Sequence, residues 1–233
     1  MDSRRAEAFS DGVFAVAITL LIFNLLPIGI GPRLSYLELR GAWPQYAAYV
    51  VSFLTIGIMW MNHHTLFGHV RLIDRPLLVL NLLLLMGVVA IPFPTALVAD
   101  HLTGRGGSVA AVIYGVVMIV ISIFYNAIWE YLVRHAEALG SRGTRQALRD
   151  AVPGFGSGPG LAARIPRWSL GLAGYAAGVL IAAFWLPGVA LAVYGALGVY
   201  YLFNHLPDPV AVARAAARDP DDPDLLRDQL SPR

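Results

Sequence analysis

Arg5-Ala-Glu-Ala-Phe-Ser-Asp11 leads directly into Gly12 to Ile30, nineteen residues without a charge. An Arg and an Asp thus stand six residues apart at the mouth of a membrane-length apolar run. The acid is the costly member. An ionised carboxylate at the bilayer core costs about 2.5–3.5 kcal/mol on insertion scales, so it is kept where a partner or water meets it. Asp11 therefore predicts that other polar groups of this chain reach the same depth.

The remaining composition agrees with a membrane solvent. The chain has 233 residues, 57% hydrophobic and 14% charged, with a mean hydropathy of +0.62. Soluble domains carry about 25% charged residues, so this is read as an all-α integral membrane protein surrounded by lipid. A formal net charge of +2 gives no reason to expect a nucleic-acid partner. Cysteine is absent, which excludes disulfides, thiolate metal sites and thiol redox chemistry. The first run follows Arg4 and Arg5 as a signal peptide would. Asp11 interrupts it, however, so it is expected to stay in the mature protein.

A bilayer core about 30 Å thick needs about 20 apolar residues in a helix. Six segments meet that need, at about 9–30, 44–67, 77–99, 108–133, 168–186 and 188–205. The last two are joined by Leu186-Pro187-Gly188, read as a tight turn within a helical hairpin. All 17 basic residues are Arg, and alternate loops divide them fourteen to three. The positive-inside rule then puts both termini in the cytoplasm. Residues 1–206 form one six-helix unit with a long cytoplasmic connection at about 135–167, rich in Gly, Pro and Arg, including a short surface helix near 146–150. Residues 207–233 read as a solvated cytoplasmic tail.

This topology sorts polar residues by depth. Arg5, Ser10 and Asp11 enter with the first span. Trp60, Asn62, His63 and His64 close the second, and Asn81 lies in the second turn of the third. Asn126 and Glu130 end the fourth span, and Asn204 and His205 the sixth. All share the cytoplasmic layer. Asp11 is expected to accept from His63 or His64, and from a helix-borne donor such as Ser10 or Trp60. The plainer role for this layer is to staple the first three spans together; ion binding or proton relay is the functional one. His63, His64 and His69 lack the His-Glu-x-x-His spacing of a helical metal site, so no metal site is expected.

The helical wheel adds a stripe. At about 100° per residue, Val16, Thr19, Leu20 and Phe23 fall at i, i+3, i+4 and i+7, with Asp11 about 140° from Val16. The carboxylate thus turns towards the subunit interior while the stripe turns elsewhere. Spacing alone leaves that stripe as lipid-facing, packed or pore-lining.

Arg5-x-x-x-Phe9-Ser10-Asp11, with the Gly-Val-Phe-Ala-Val-Ala-Ile-Thr-Leu-Leu that follows, closely resembles the first helix of the transmembrane protein 175 family of endolysosomal potassium channels and their prokaryotic relatives. Trp60-Met-Asn-His63-His64-Thr-Leu-Phe67 resembles that family's second helix, and Leu80-Asn81 with Ile91-Pro92-Phe93-Pro94-Thr95 its third. The resemblance spans 5–95; the last three helices match only in number and length. It implies a homotetramer in the plasma (inner) membrane of a prokaryote, multi-pass, with the first helix of each subunit around a central pore. It implies no Thr-Val-Gly-Tyr-Gly filter, which this chain also lacks. Hydrophobic side chains form the constriction and a Thr layer contributes to selectivity. Those positions fall on Val16, Thr19, Leu20 and Phe23. The innermost is usually Ile or Leu and here is Val16; the outer is often Leu and here is Phe23. Arg5, Phe9, Ser10, Asp11, Trp60, His63, His64 and Asn81 are carried over as the structural polar network.

The expected function is a potassium-preferring cation channel with no cofactor other than its permeant K⁺. The alternative is a secondary transporter or proton-coupled carrier. Pro92 and Pro94 break the third span as in such proteins, but no pair of midplane carboxylates accompanies them. An enzyme is not expected, since no Gly-x-Ser-x-Gly or metal pair is present.

Overall fold

The computed structural model describes residues 3–26, 35–68, 70, 72–135, 169–184 and 187–204. The elements described are helical: α1 Ser3–Leu20 with a 3-10 continuation Leu21–Leu25, α2 Tyr36–Gly41, α3 Trp43–Gly68, α4 Arg75–Ala90, α5 Pro92–His101, α6 Gly107–Arg134, α7 Ser169–Phe184 and α8 Pro187–Asn204. Among the described residues three helical stretches are long and apolar enough to cross a membrane: Ser3–Leu25, Arg75–His101 and Gly107–Leu132. Leu172–Phe184 and Pro187–Gly198 are shorter apolar helices. At 26 residues α3 spans about 39 Å, but Asn62, His63 and His64 make its last turns polar. The long connection after α6, the tail and His205 lie outside the described residues.

The third apolar segment divides at its prolines, as Pro92 and Pro94 predict, into α4 and α5 with the break at Ile91. Pro92 and Pro94 lack the N–H that would continue the ladder, and the ends are closed locally by Ile91 N donating to Val88 O (3.1 Å) and Thr95 N to Ile91 O (3.1 Å). Pro187 opens α8 instead of lying in a turn. Proline suits a first helical turn because the N–H it lacks has no partner there.

Caps fix the ends that matter for the site. Asp74 precedes α4 and accepts from Leu77 N at 3.1 Å, while its other oxygen accepts from the Tyr131 hydroxyl. One carboxylate therefore starts α4 and ties it to the end of α6. Ser35 and Glu38 form a reciprocal capping box that starts α2.

The bundle packs around α3 and α6. Helix α3 lies against α1, α5 and α8, and α6 against α4, α5 and α7. The core joins Phe14 and Leu21 of α1, Ile56 and Phe67 of α3, Leu84 and Val88 of α4, and Tyr114, Met118 and Ile121 of α6. Close approach needs small residues: a Cβ on Gly87 would stand 2.7 Å from Ile121 Cγ1. Mid-bundle hydroxyls satisfy one another, with Ser52 Oγ 2.8 Å from Thr95 Oγ1 and 3.2 Å from Tyr114 Oη. An unpaired hydroxyl at such a place would cost about 1–3 kcal/mol.

Candidate functional site

Helix α1 has two faces with opposite fates. Ser3, Ala6, Ser10, Phe14 and Ala17 are buried, and Leu21 continues them. Their spacing of three or four residues is one side of a helix. On the other side Arg5, Gly12 and Thr19 are exposed, as are Phe9 (56%), Val16 (53%) and Phe23 (58%). Leu20, the remaining stripe residue, is half-buried. On the wheel it lies about 40° from Val16 towards the packed face, which places it at the edge of the bare arc.

Directional bonds hold the packed face. Asn81 is their centre. His63 Nε2 lies 2.8 Å from Asn81 Oδ1, the Asn81 amide donates to Ser10 Oγ at 3.0 Å, and Ser10 Oγ donates to Ala6 O at 2.8 Å. Proton directions follow from this order, with His63 as the Nε2–H donor. The chain of bonds joins α3, α4 and α1 within a layer where His63 and Ser10 are fully buried and Asn81 nearly so. The His63 ring is also stacked on Phe67 (centroids 4.2 Å) and meets Phe14 at 5.4 Å. Polar pairing fixes its edge and aromatic contact fixes its plane.

Asp11 is reached from α3, by a different residue than a histidine. The Trp60 indole donates to Asp11 Oδ1 at 2.8 Å. His63 is committed to Asn81, and His64 Nδ1 pairs with Glu7 Oε1 at 2.9 Å. The expectation of a histidine on Asp11 is thereby corrected. The reason is helical register: Glu7 and Asp11 are one turn apart on α1, Trp60 and His64 one turn apart on α3, and antiparallel helices match them as two rungs. That double i, i+4 spacing is present in the sequence and adds Glu7, absent from the expected network, as the partner of His64. Ser10 joins the layer through Asn81, not by donating to Asp11. Arg5 and Phe9 lie on the bare side and take no part in these bonds. Asn126 and Glu130 turn to their own helix, donating to Ser122 O and pairing with Arg134 at 2.6 Å.

On the bare face one polar group is oriented. Thr19 Oγ1 donates its proton to Val16 O at 2.9 Å. A hydroxyl so committed turns its lone pairs outward and presents an acceptor. Among the described residues no group of three or more His, Asp or Glu side chains is placed to hold a metal ion.

The family described as endosomal/lysosomal potassium channel TMEM175 matches residues 5–92. A potassium channel of Streptomyces collinus is 44% identical over 216 residues, covering 92% of this chain and 98% of that protein. The endosomal/lysosomal proton channel TMEM175 of Gallus gallus is 34% identical over 145 residues, 58% of this chain and 29% of that one. Among solved structures, a lysosomal potassium-selective channel TMEM175 homolog from Chamaesiphon minutus superposes with a TM-score of 0.67 at 28% identity, over 86% of this chain and 96% of that chain.

Proposed function

Since the chain belongs to the TMEM175 family, whose members are ion channels and not enzymes, we propose that it is a potassium-preferring cation channel in which α1 of four identical subunits lines a central pore. On this reading α1 with its 3-10 continuation, α3, α4 with α5, α6, α7 and α8 make six crossings of a prokaryotic plasma (inner) membrane, with both termini in the cytoplasm.

The observation that carries the proposal is the division of α1. One face is bound into the subunit by Trp60, His64 and Asn81; the other is uncovered among the described residues and keeps Val16, Thr19 and Phe23 exposed. Four such faces around an axis bury their apolar residues from bulk water and enclose a narrow apolar path. Val16, Leu20 and Phe23 supply its constrictions, which gate by dewetting: water leaves a narrow apolar cylinder before any side chain blocks it. Four Thr19 oxygens, lone pairs outward, replace part of the hydration of a K⁺ at that level. The polar layer at Asp11 sets the angle of α1 and does not contact the ion.

The test is a reversal-potential measurement on purified protein in liposome patches under K⁺/Na⁺ gradients. A K⁺-preferring current is expected, with Thr19→Ala lowering the preference and Phe23→Ala raising conductance. If both variants assemble and behave as wild type, the assigned pore face is wrong.

A further inference from the structure

The outer end of α1 changes its winding between two of the constriction residues. Leu21–Leu25 is a 3-10 helix, and Leu26 N donates to Phe23 O at 3.3 Å, an i to i−3 bond. A 3-10 helix advances about 120° and 2.0 Å per residue, against about 100° and 1.5 Å in an α-helix. From Leu20 to Phe23 this makes about a full turn and 6 Å, where α winding gives about 300° and 4.5 Å. Phe23 therefore stands in line with Leu20 and farther out. Continued as α-helix, it would swing about 60° towards the Thr19 side.

Sequence accounts for one end of this segment. Pro27 has no N–H to offer Phe23 O, which leaves that carbonyl to Leu26. Within Leu-Ile-Phe-Asn-Leu there is no Gly or Pro to impose the tighter winding. Its one polar side chain is Asn24, and Asn24 Nδ2 donates to Pro92 O at 3.4 Å. Pro92 is the first residue of α5, immediately beyond the break at Ile91. The segment packs against both α3 and α5, so the bond connects the outer turn of α1 to a fixed discontinuity in its neighbour.

We propose that Asn24 is a positioning residue: its carboxamide, held on the Pro92 carbonyl, keeps Leu21–Leu25 in 3-10 winding and so sets the height and direction of Phe23 over Leu20. This rests on the pore reading of α1. Asn24 does not line the constriction; it acts through the neighbouring residue.

The experiment is a double-mutant cycle on single-channel K⁺ conductance in planar bilayers, using the full chain with Asn24→Leu, Phe23→Ala and both. Asn24→Leu keeps the side-chain size and removes the donor. It is expected to lower conductance by about threefold in the wild-type background, because Phe23 swings from the edge of the bare arc to its middle, with tetramer mass and thermal midpoint unchanged, and to have no effect when Phe23 is Ala, the coupling expected of residues linked through a backbone shift. Equal effects in both backgrounds, or no effect on an intact channel, would overturn the proposal. If Phe23→Ala alone leaves conductance unaltered, it is the pore reading that fails. Should Asn24→Leu not assemble, Asn24→Asp repeats the cycle, since a carboxylate cannot donate to Pro92 O. The chain has no cysteine, so Phe23→Cys offers an independent readout. A water-soluble thiosulfonate should modify it several-fold faster when Asn24→Leu is added; an unchanged rate counts against the proposal.

Discussion

The α1–α3–α4 half of the bundle and the α6–α7–α8 half are joined by different physics. In the first, indole, imidazole, carboxamide and carboxylate groups cross between helices in defined pairs: Trp60 to Asp11, His64 to Glu7, His63 to Asn81 and Asn81 to Ser10. In the second, shape does most of the joining. Tyr194 is buried between Tyr114 and Tyr175, at ring-centroid distances of 5.5 and 5.6 Å, and its hydroxyl donates to Ala111 O. Gly115 and Gly178 leave the room that it fills. Small residues let membrane helices approach closely where no hydrophobic force drives them together. Paired bonds can hold one face of a helix while leaving the opposite face bare, which is what α1 requires. Close packing commits whole surfaces and suits helices that serve as scaffold.

The contrast can be broken most severely in the packed half. A Cβ on Gly178 meets the Tyr194 ring itself, and that ring cannot move because its two flanking tyrosines and its hydrogen bond hold it. Gly178→Leu is therefore expected to abolish the folded protein, and even Gly178→Ala to cost about 1–3 kcal/mol from overpacking. Size-exclusion profiles and thermal unfolding in detergent would reveal this. An unaffected Gly178→Leu channel would show that the two halves are not held differently.

A medium effect is expected in the bonded half. Asn81→Leu removes the acceptor of His63 and the donor to Ser10 without leaving a void. The unpaired His63 N–H should then cost about 1–3 kcal/mol, read as a lower thermal midpoint. Because the lost bonds orient α1, K⁺ current should fall further than stability alone explains. A stability loss with unchanged current per folded protein would mean that the layer is adhesive only.

The smallest effect is expected on the exposed side of the bundle. Glu130 and Arg134 pair on the exposed side of α6, with side chains 49% and 70% exposed. Exposed i, i+4 pairs contribute about 0.3–0.5 kcal/mol at most. Glu130→Gln should leave the unfolding midpoint and the current within error, and a large loss would place that end of α6 in an interface.

Much of the site was legible because periodicity and cost are local properties of a chain. Asp11 in an apolar run demanded a partner, and Trp60 was among the donors named for it. The i, i+3, i+4, i+7 stripe fell where α1 is bare, apart from Leu20 at its edge. What misled was the choice among donors at one depth. Depth follows from position along a span, whereas pairing follows from rotation of each helix and the register between them. His63 therefore went to Asn81 and His64 to Glu7. The Ser52, Thr95 and Tyr114 cluster left no sequence signal at all, since isolated hydroxyls in apolar helices are common and only contact makes them a group.

Membrane-spanning character, the Asp11 junction, the proline break near Ile91 and the two-sidedness of α1 were determined by the sequence by itself, because each depends on residues within a turn or two of one another. Tertiary structure alone decided which partner meets Asp11, that Leu20 is half-covered, that Tyr194 occupies the space left by two glycines, and that Asn24 reaches Pro92. Those outcomes depend on distances between helices far apart in the chain, and such distances exist only once the helices have packed.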